Sequence, residues 1–282
     1  MKKLLLLLMT IFLSSMSWAD TIQDTVYSVD RGENGQETLI KFMNGRVAFI
    51  DEKDLDEVQN LMSLEGQKIR VEVDNRLTVQ SLTSLPQDEK FKEENSEELL
   101  NQNDSNKMVP TIIPSWSQAL TIWRGMNRSY KSQTECTDRA HVWAYEEWKK
   151  YGLNSTKTFL FFTNTYIRAY RYNWWFHVSP SALISEYGKD VEHIFDRRYA
   201  SMPLHMKTWT DIFIRSKRSC PSSTYRFYRN NRNGSEHCFV VRADMFYRLP
   251  LHVRNLEDYG TVKTQFSNGE VNFSYRAFTR RL

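Results

Sequence analysis

The chain has 282 residues, 40% of them hydrophobic and 26% charged, with a formal net charge of +4. That length supports one sizeable core plus a smaller domain, and three cysteines are too few for a disulfide-framework protein. The charge is divided: residues Asp20 to Ile113 hold 10 basic and 20 acidic side chains, and Pro114 to Leu282 hold 26 basic and 14 acidic. Two oppositely charged halves attract each other, and a basic second half suits acidic partners.

The chain opens with a predicted signal peptide, residues 1–19. Lys2 and Lys3 form a positive start, Leu4 to Leu13 an apolar run far shorter than a membrane span, and Ser17-Trp18-Ala19 a small-residue cleavage site. The expectation is an exported chain, secreted or periplasmic, with no membrane contact after cleavage and an oxidising environment around it.

Residues 20–85 read as a small β-rich N-terminal domain. Val26–Val29, Glu37–Phe42 and Arg46–Ile50 have strand character, and Asn44-Gly45 marks a hairpin. Asp51–Leu64 reads as a helix closed by Gly66, and Lys68–Leu82 as two alternating strands turned at Asp74-Asn75. Residues 86–113 are polar and acidic, with Phe91 as the one aromatic residue, and read as a flexible linker open to proteolysis.

Residues 114–282 are aromatic-rich and basic and contain all three cysteines. Ala140, Trp143, Ala144, Trp148 and Tyr151 fall on one helical face, ended by Gly152. Ser132 and Glu135 fit a capping box, which starts the helix near Gln133 and puts Cys136 in its first turn. There the helix dipole and free N–H groups favour a thiolate, the nucleophilic form. Tyr172–Pro180 reads as a strand that holds His177 among aromatics. Lys157–Phe162 is a strand before it, and Val191–Asp196 a strand after it that ends in an acidic group able to orient an imidazole.

Taken singly, a helical cysteine is usually a small core residue, a strand histidine a hydrogen-bonding one and a strand-end aspartate a turn residue. Together and in this order, Cys136, His177 and Asp196 have the arrangement of a papain or transglutaminase core and are the candidate catalytic residues. Cys220 and Cys238 can pair with each other and leave Cys136 free; a bond from Cys136 to either would remove the nucleophile. The six histidines show no zinc-type spacing along the chain.

The segments ECTDRAH with Cys136 and Ala140, WWFHV with His177, and FDRRYASMPLHMKTW with Asp196, Pro203 and Trp209 resemble the bacterial secreted protein glutaminases, over about Ser115 to Trp209. The resemblance implies an α+β, transglutaminase-like (papain-like) domain, with a Cys-bearing helix packed on an antiparallel sheet that carries His and Asp. It implies a Cys136-His177-Asp196 triad that hydrolyses the side-chain amide of protein-bound glutamine through a thioester, with no metal or organic cofactor. Its partners would be proteins or peptides with exposed, acidic-flanked glutamines, not nucleic acid. Members carry an inhibitory pro-region, which makes the acidic N-terminal half a candidate for docking on the basic half. The family often has proline after its aspartate; here Arg197 and Arg198 follow, two cations that would compete with His177 for Asp196, with Asp190 and Asp211 as weaker substitutes.

The second oxyanion donor is open, with Gln133 and Trp116 as candidates. Two rival functions share these residues: a transglutaminase or cysteine peptidase with the same triad, and a silent carbohydrate- or protein-binding domain built on the aromatic surface.

Overall fold

The computed structural model describes residues 20–32, 36–51, 61–86, 110–130 and 134–279. The predicted signal peptide, most of the predicted linker, residues 52–60 of the predicted first helix, and Ser132 and Gln133 lie outside them. Two compact units are present, one of residues 1–42 and 46–87, the other of residues 43–45 and 88–282.

The first unit is one antiparallel sheet of five strands in the order β3-β2-β1-β4-β5. The strands are β1 (Asp20–Asp30), β2 (Thr38–Phe42), β3 (Val47–Ile50), β4 (Lys68–Val73) and β5 (Val79–Ser84). β1 is longer than Val26–Val29 because its first half, DTIQDT, is polar and hides the alternation. Asp20–Thr25 pair with β4, and Val26–Asp30 pair with β2 across a register shift. Ile22, Val26, Val29, Ile40, Phe42, Ile69 and Val71 form the core of this unit. A buried Lys41–Asp30 pair at 2.7 Å adds a charge contact to it. Of the predicted helix Asp51–Leu64, Asp51 lies outside any helix and Leu61–Leu64 form a 3-10 turn.

The second unit contains a six-stranded sheet. Its path is β10-β9-β8-β7-β11, and β6 joins β8 in parallel. The strands are β6 (Ile112–Ile113), β7 (Thr156–Phe162), β8 (Phe176–Glu186), β9 (Lys189–Ile194), β10 (Leu204–His205) and β11 (Cys238–Asp244). β6 places Ile112 and Ile113, read from sequence as the end of the linker, in this sheet. β8 begins at Phe176, four residues later than the alternation from Tyr172 implies.

Seven helices of this unit are described: α1 (Trp116–Gly125), α2 (Cys136–Tyr151), α3 (Asn164–Tyr170), α4 (Met206–Phe213), α5 (Tyr225–Asn230), α6 (Pro250–Tyr259) and α7 (Asn268–Thr279). α2 packs on β8 and against α7. It is buried on more than the predicted face. Ala140, Trp143 and Ala144 are in the core, but so are Asp138, Arg139, His141 and Glu147, while Trp148 and Tyr151 are 38% and 36% exposed. The difference arises because polar partners cover its other side. Arg248 Nη2 and Ser274 Oγ donate to Asp138 Oδ1 at 2.7 and 3.0 Å. Lys157 Nζ lies 2.6 Å from His141 Nδ1, with both side chains fully buried. Burial holds both Lys157 and His141 well below their ordinary pKa values, because the low-dielectric core disfavours the charged form of each.

Cys220 and Cys238 form a disulfide with Cα atoms 5.0 Å apart, and Cys136 is free and buried. The bond ties the α4–α5 connection to β11, which pairs with β7 at the edge of the sheet. Closing a loop of 18 residues stabilises the fold by about 3 kcal/mol in the chain-entropy account. Cys220→Ser should therefore lower the urea midpoint by an amount equivalent to about 3 kcal/mol; an unchanged midpoint would refute this.

Candidate active site

Cys136 is the first residue of α2, with Glu135 as its N-cap in extended conformation and no side-chain cap bond. The helix thus starts three residues later than the capping-box reading, and Cys136 keeps its place in the first turn. Cys136 is 9% exposed, and the backbone N–H of Val178 is near enough to lower the thiol pKa. Cys136 therefore lies against β8 at the residue next to His177, an arrangement that the packing of α2 on β8 imposes.

His177 sits in the central part of the sheet, opposite Leu160 of β7. Its Nε2 is 2.6 Å from Asp196 Oδ2, and both side chains are 1% exposed. A carboxylate only accepts, so Nε2 carries a proton. Nδ1 is buried and has no hydrogen-bond partner among the described residues. The ring is boxed by Trp174, stacked at 5.8 Å, Tyr199, edge-on at 5.2 Å, Trp209 at 5.7 Å and Phe213 at 4.6 Å. Such a cage fixes the imidazole and keeps water off it.

Asp196 follows β9 by two residues. Besides His177 it accepts from Trp209 Nε1 at 2.9 Å and from the Arg198 backbone N–H at 3.3 Å. Burial pushes its carboxyl pKa up. The charge of His177, the hydrogen bonds from His177 and Trp209, and the charge of Arg139 outweigh that and hold it below the usual value. Asp196 is thus ionised at neutral pH.

The expected competition from Arg197 and Arg198 does not occur. Their guanidinium groups lie over the rings of Trp123 and Tyr130, at 5.5 and 5.8 Å, and Arg198 meets Asp196 through its backbone. Of the substitutes, Asp211 pairs with Lys207, and Asp190 is an exposed residue of β9. Of the proposed oxyanion donors, Trp116 packs its ring on His193 at 5.3 Å, and Gln133 lies outside the described residues.

The thiol itself departs from the sequence reading. A first-turn address favours the thiolate, but burial is the larger effect and pushes the Cys136 pKa up to about 12; Arg139 lowers it and Glu135 raises it. Desolvation of an anion outweighs the dipole of a helix terminus when no counter-ion touches the sulfur. In this state Cys136 is a neutral thiol, and the nearby His177 Nδ1 has no hydrogen-bond partner among the described residues.

Three residues of the site were missed in the sequence. Arg139, buried at 4% exposure, lies three positions after Cys136 on α2, a spacing that places both on one side of the helix and could have revealed it. Trp209 was noted, but nothing in its distance from Asp196 marks it as that residue's partner, because α4 carries it there. Tyr199 has no signal in the sequence. A separate cavity of about 560 Å³ runs along the C-terminal half of α2, lined by Met126, Trp143, Glu147, Tyr151 and Tyr275 among others. Its nearest lining residue on α2, Trp143, is seven positions after Cys136, about 10 Å along the helix.

The glutaminase family model matches residues 115–213. The fold is similar to that of a crystal structure of pro-protein-glutaminase, with a TM-score of 0.50 and 12% identity, over 82% of this chain and 84% of that one. A mutant of pro-protein-glutaminase gives a TM-score of 0.51 and 13% identity, over 82% and 85%. No curated protein sequence matches the chain. The matched segment, residues 115–213, holds Cys136, His177 and Asp196.

Proposed function

We propose that the protein is an exported protein-glutamine deamidase with a transglutaminase-like catalytic domain and a Cys136-His177-Asp196 triad. One observation carries the reading: within the matched segment, His177 is locked to Asp196 at 2.6 Å with its other nitrogen without a partner, and Cys136 lies near the backbone of Val178, the residue after His177. Nδ1 of His177 takes the thiol proton as Cys136 attacks the glutamine carboxamide. The imidazolium, stabilised by Asp196, protonates the departing ammonia. Water activated by the same nitrogen then hydrolyses the thioester to glutamate. Every step uses side chains of this chain.

The basic second half favours acidic, flexible substrate segments, and residues 1–19 direct export. Among the described residues no helix is long and apolar enough to cross a membrane. The test is ammonia release from an unfolded, glutamine-rich protein. Ammonia with the polypeptide intact supports a deamidase, backbone cleavage a peptidase, and cross-linked product a transglutaminase.

The acidic domain of residues 20–85 acts, in this reading, as an inhibitory pro-region released by cleavage in residues 86–113. Its charge supports this, as does the likeness in fold to pro-forms. Limited proteolysis confined to residues 86–113 should then raise the deamidation rate at least about tenfold, a release of 1.4 kcal/mol or more of inhibitory binding. An equal rate before and after the cut, with both forms folded, would sink the pro-region reading.

A further inference from the structure

At the outer end of the same sheet, His193 of β9, Glu186 of β8 and His205 at the end of β10 converge. Their ligand atoms all lie within 4.8 Å of one another. They are scattered over 20 residues and share no motif, so only the pairing of β8, β9 and β10 brings them together.

The protonation pattern at His193 is specific. Its Nδ1 lies 3.1 Å from the Val191 carbonyl oxygen and donates to it, which fixes the tautomer that leaves a lone pair on Nε2. That lone pair faces a carboxylate oxygen, Glu186 Oε1, at 3.4 Å. Two acceptors facing each other repel unless a proton or a metal cation lies between them. The second imidazole, His205, lies beside the first, tilted by 43° with ring centroids 4.2 Å apart, and adds a third donor atom to the same point.

The distances match one class of cation. With zinc–nitrogen and zinc–oxygen bonds of about 2.0–2.1 Å, neighbouring ligands of a tetrahedral site are about 3.3–3.4 Å apart. The Glu186–His193 pair already has that separation. His205 is exposed, so its ring can close the remaining gap by side-chain rotation. A backbone carbonyl holding the remote N–H of a ligating histidine is the usual support of such a site. His193 is 1% exposed at its side chain and packed against Trp116, so the central ligand is pre-positioned.

We propose that Glu186, His193 and His205 form a binding site for a divalent transition-metal ion of the zinc class, with three protein ligands and a water as the fourth. The site is structural rather than catalytic. His193 pairs with Ala182, five residues along β8 from His177, roughly 16 Å at about 3.3 Å per residue. A bound ion ties together the strand of His177, the strand leading to Asp196 and the start of the helix that carries Trp209.

The test is calorimetric titration of zinc chloride into the untagged full chain carrying Cys136→Ala, so that no thiolate can act as the ligand. One zinc per chain is expected, with a raised melting midpoint. His205→Ala and Glu186→Gln, both at the accessible rim, should each weaken binding at least about tenfold while leaving the zinc-free melting midpoint near that of the parent. No binding heat and no melting shift would overturn the proposal, as would equal affinity in the parent and both variants. Because the readout is metal binding in a chain without the nucleophile, its failure says nothing about deamidation, and failure of deamidation says nothing about the site.

Discussion

Cys136→Ala should reduce ammonia release from protein-bound glutamine by about 10⁶-fold, to the background of uncatalysed hydrolysis. The sulfur is the atom that would form the thioester, and its removal leaves no nucleophile within the cage around His177. The fold should survive. Cys136 is the first residue of α2, and alanine is the strongest helix former. The rival account, in which Cys136 is only a small core residue, predicts a rate within a few-fold of the parent. A rate assay beside a circular-dichroism melt of both chains separates the two.

Asp196→Asn is expected to cost on the order of 10³-fold in kcat, with KM little changed. An asparagine oxygen in the place of Oδ2 can still accept from His177 Nε2 and Trp209 Nε1, so the tautomer is kept. The amide nitrogen then faces the Arg198 N–H, donor against donor, where Asp196 Oδ1 now accepts at 3.3 Å. More importantly, the imidazolium that forms when His177 takes the thiol proton loses its buried counter-charge. Burial at 1% exposure makes that loss large, because the low dielectric screens little of it. A purely structural Asp196 would instead lower the melting midpoint and leave kcat of the folded fraction unchanged.

Much of this site was legible because it is built from local order. Cys136 at a helix start, His177 on an apolar strand and Asp196 just past the next strand each sit where their own neighbours put them. Pairing of β7, β8 and β9 in sequence order then brings them together. The N-terminal sheet was legible for the same reason, since Asn44-Gly45 and Asp74-Asn75 declare its hairpins. What could not be read depends on long-range packing.

The polar side of α2 looked solvent-facing until Arg248, Ser274 and Lys157 were brought against it. The thiol pKa moved opposite to the helix-dipole expectation because burial is a property of the packed core and not of the turn. Arg197 and Arg198 looked like competitors for Asp196, but two rings distant in sequence, Trp123 and Tyr130, hold them away. The Glu186-His193-His205 cluster has no spacing signal because strand register, not sequence interval, assembles it.

The most direct measurement is mass spectrometry of an unfolded, glutamine-rich protein after incubation with the chain, with released ammonia measured in parallel. The account predicts conversion of glutamine to glutamate in an intact polypeptide, one ammonia per converted side chain, and no conversion by Cys136→Ala. Cleaved backbone, cross-linked product, or conversion that persists in Cys136→Ala would contradict it.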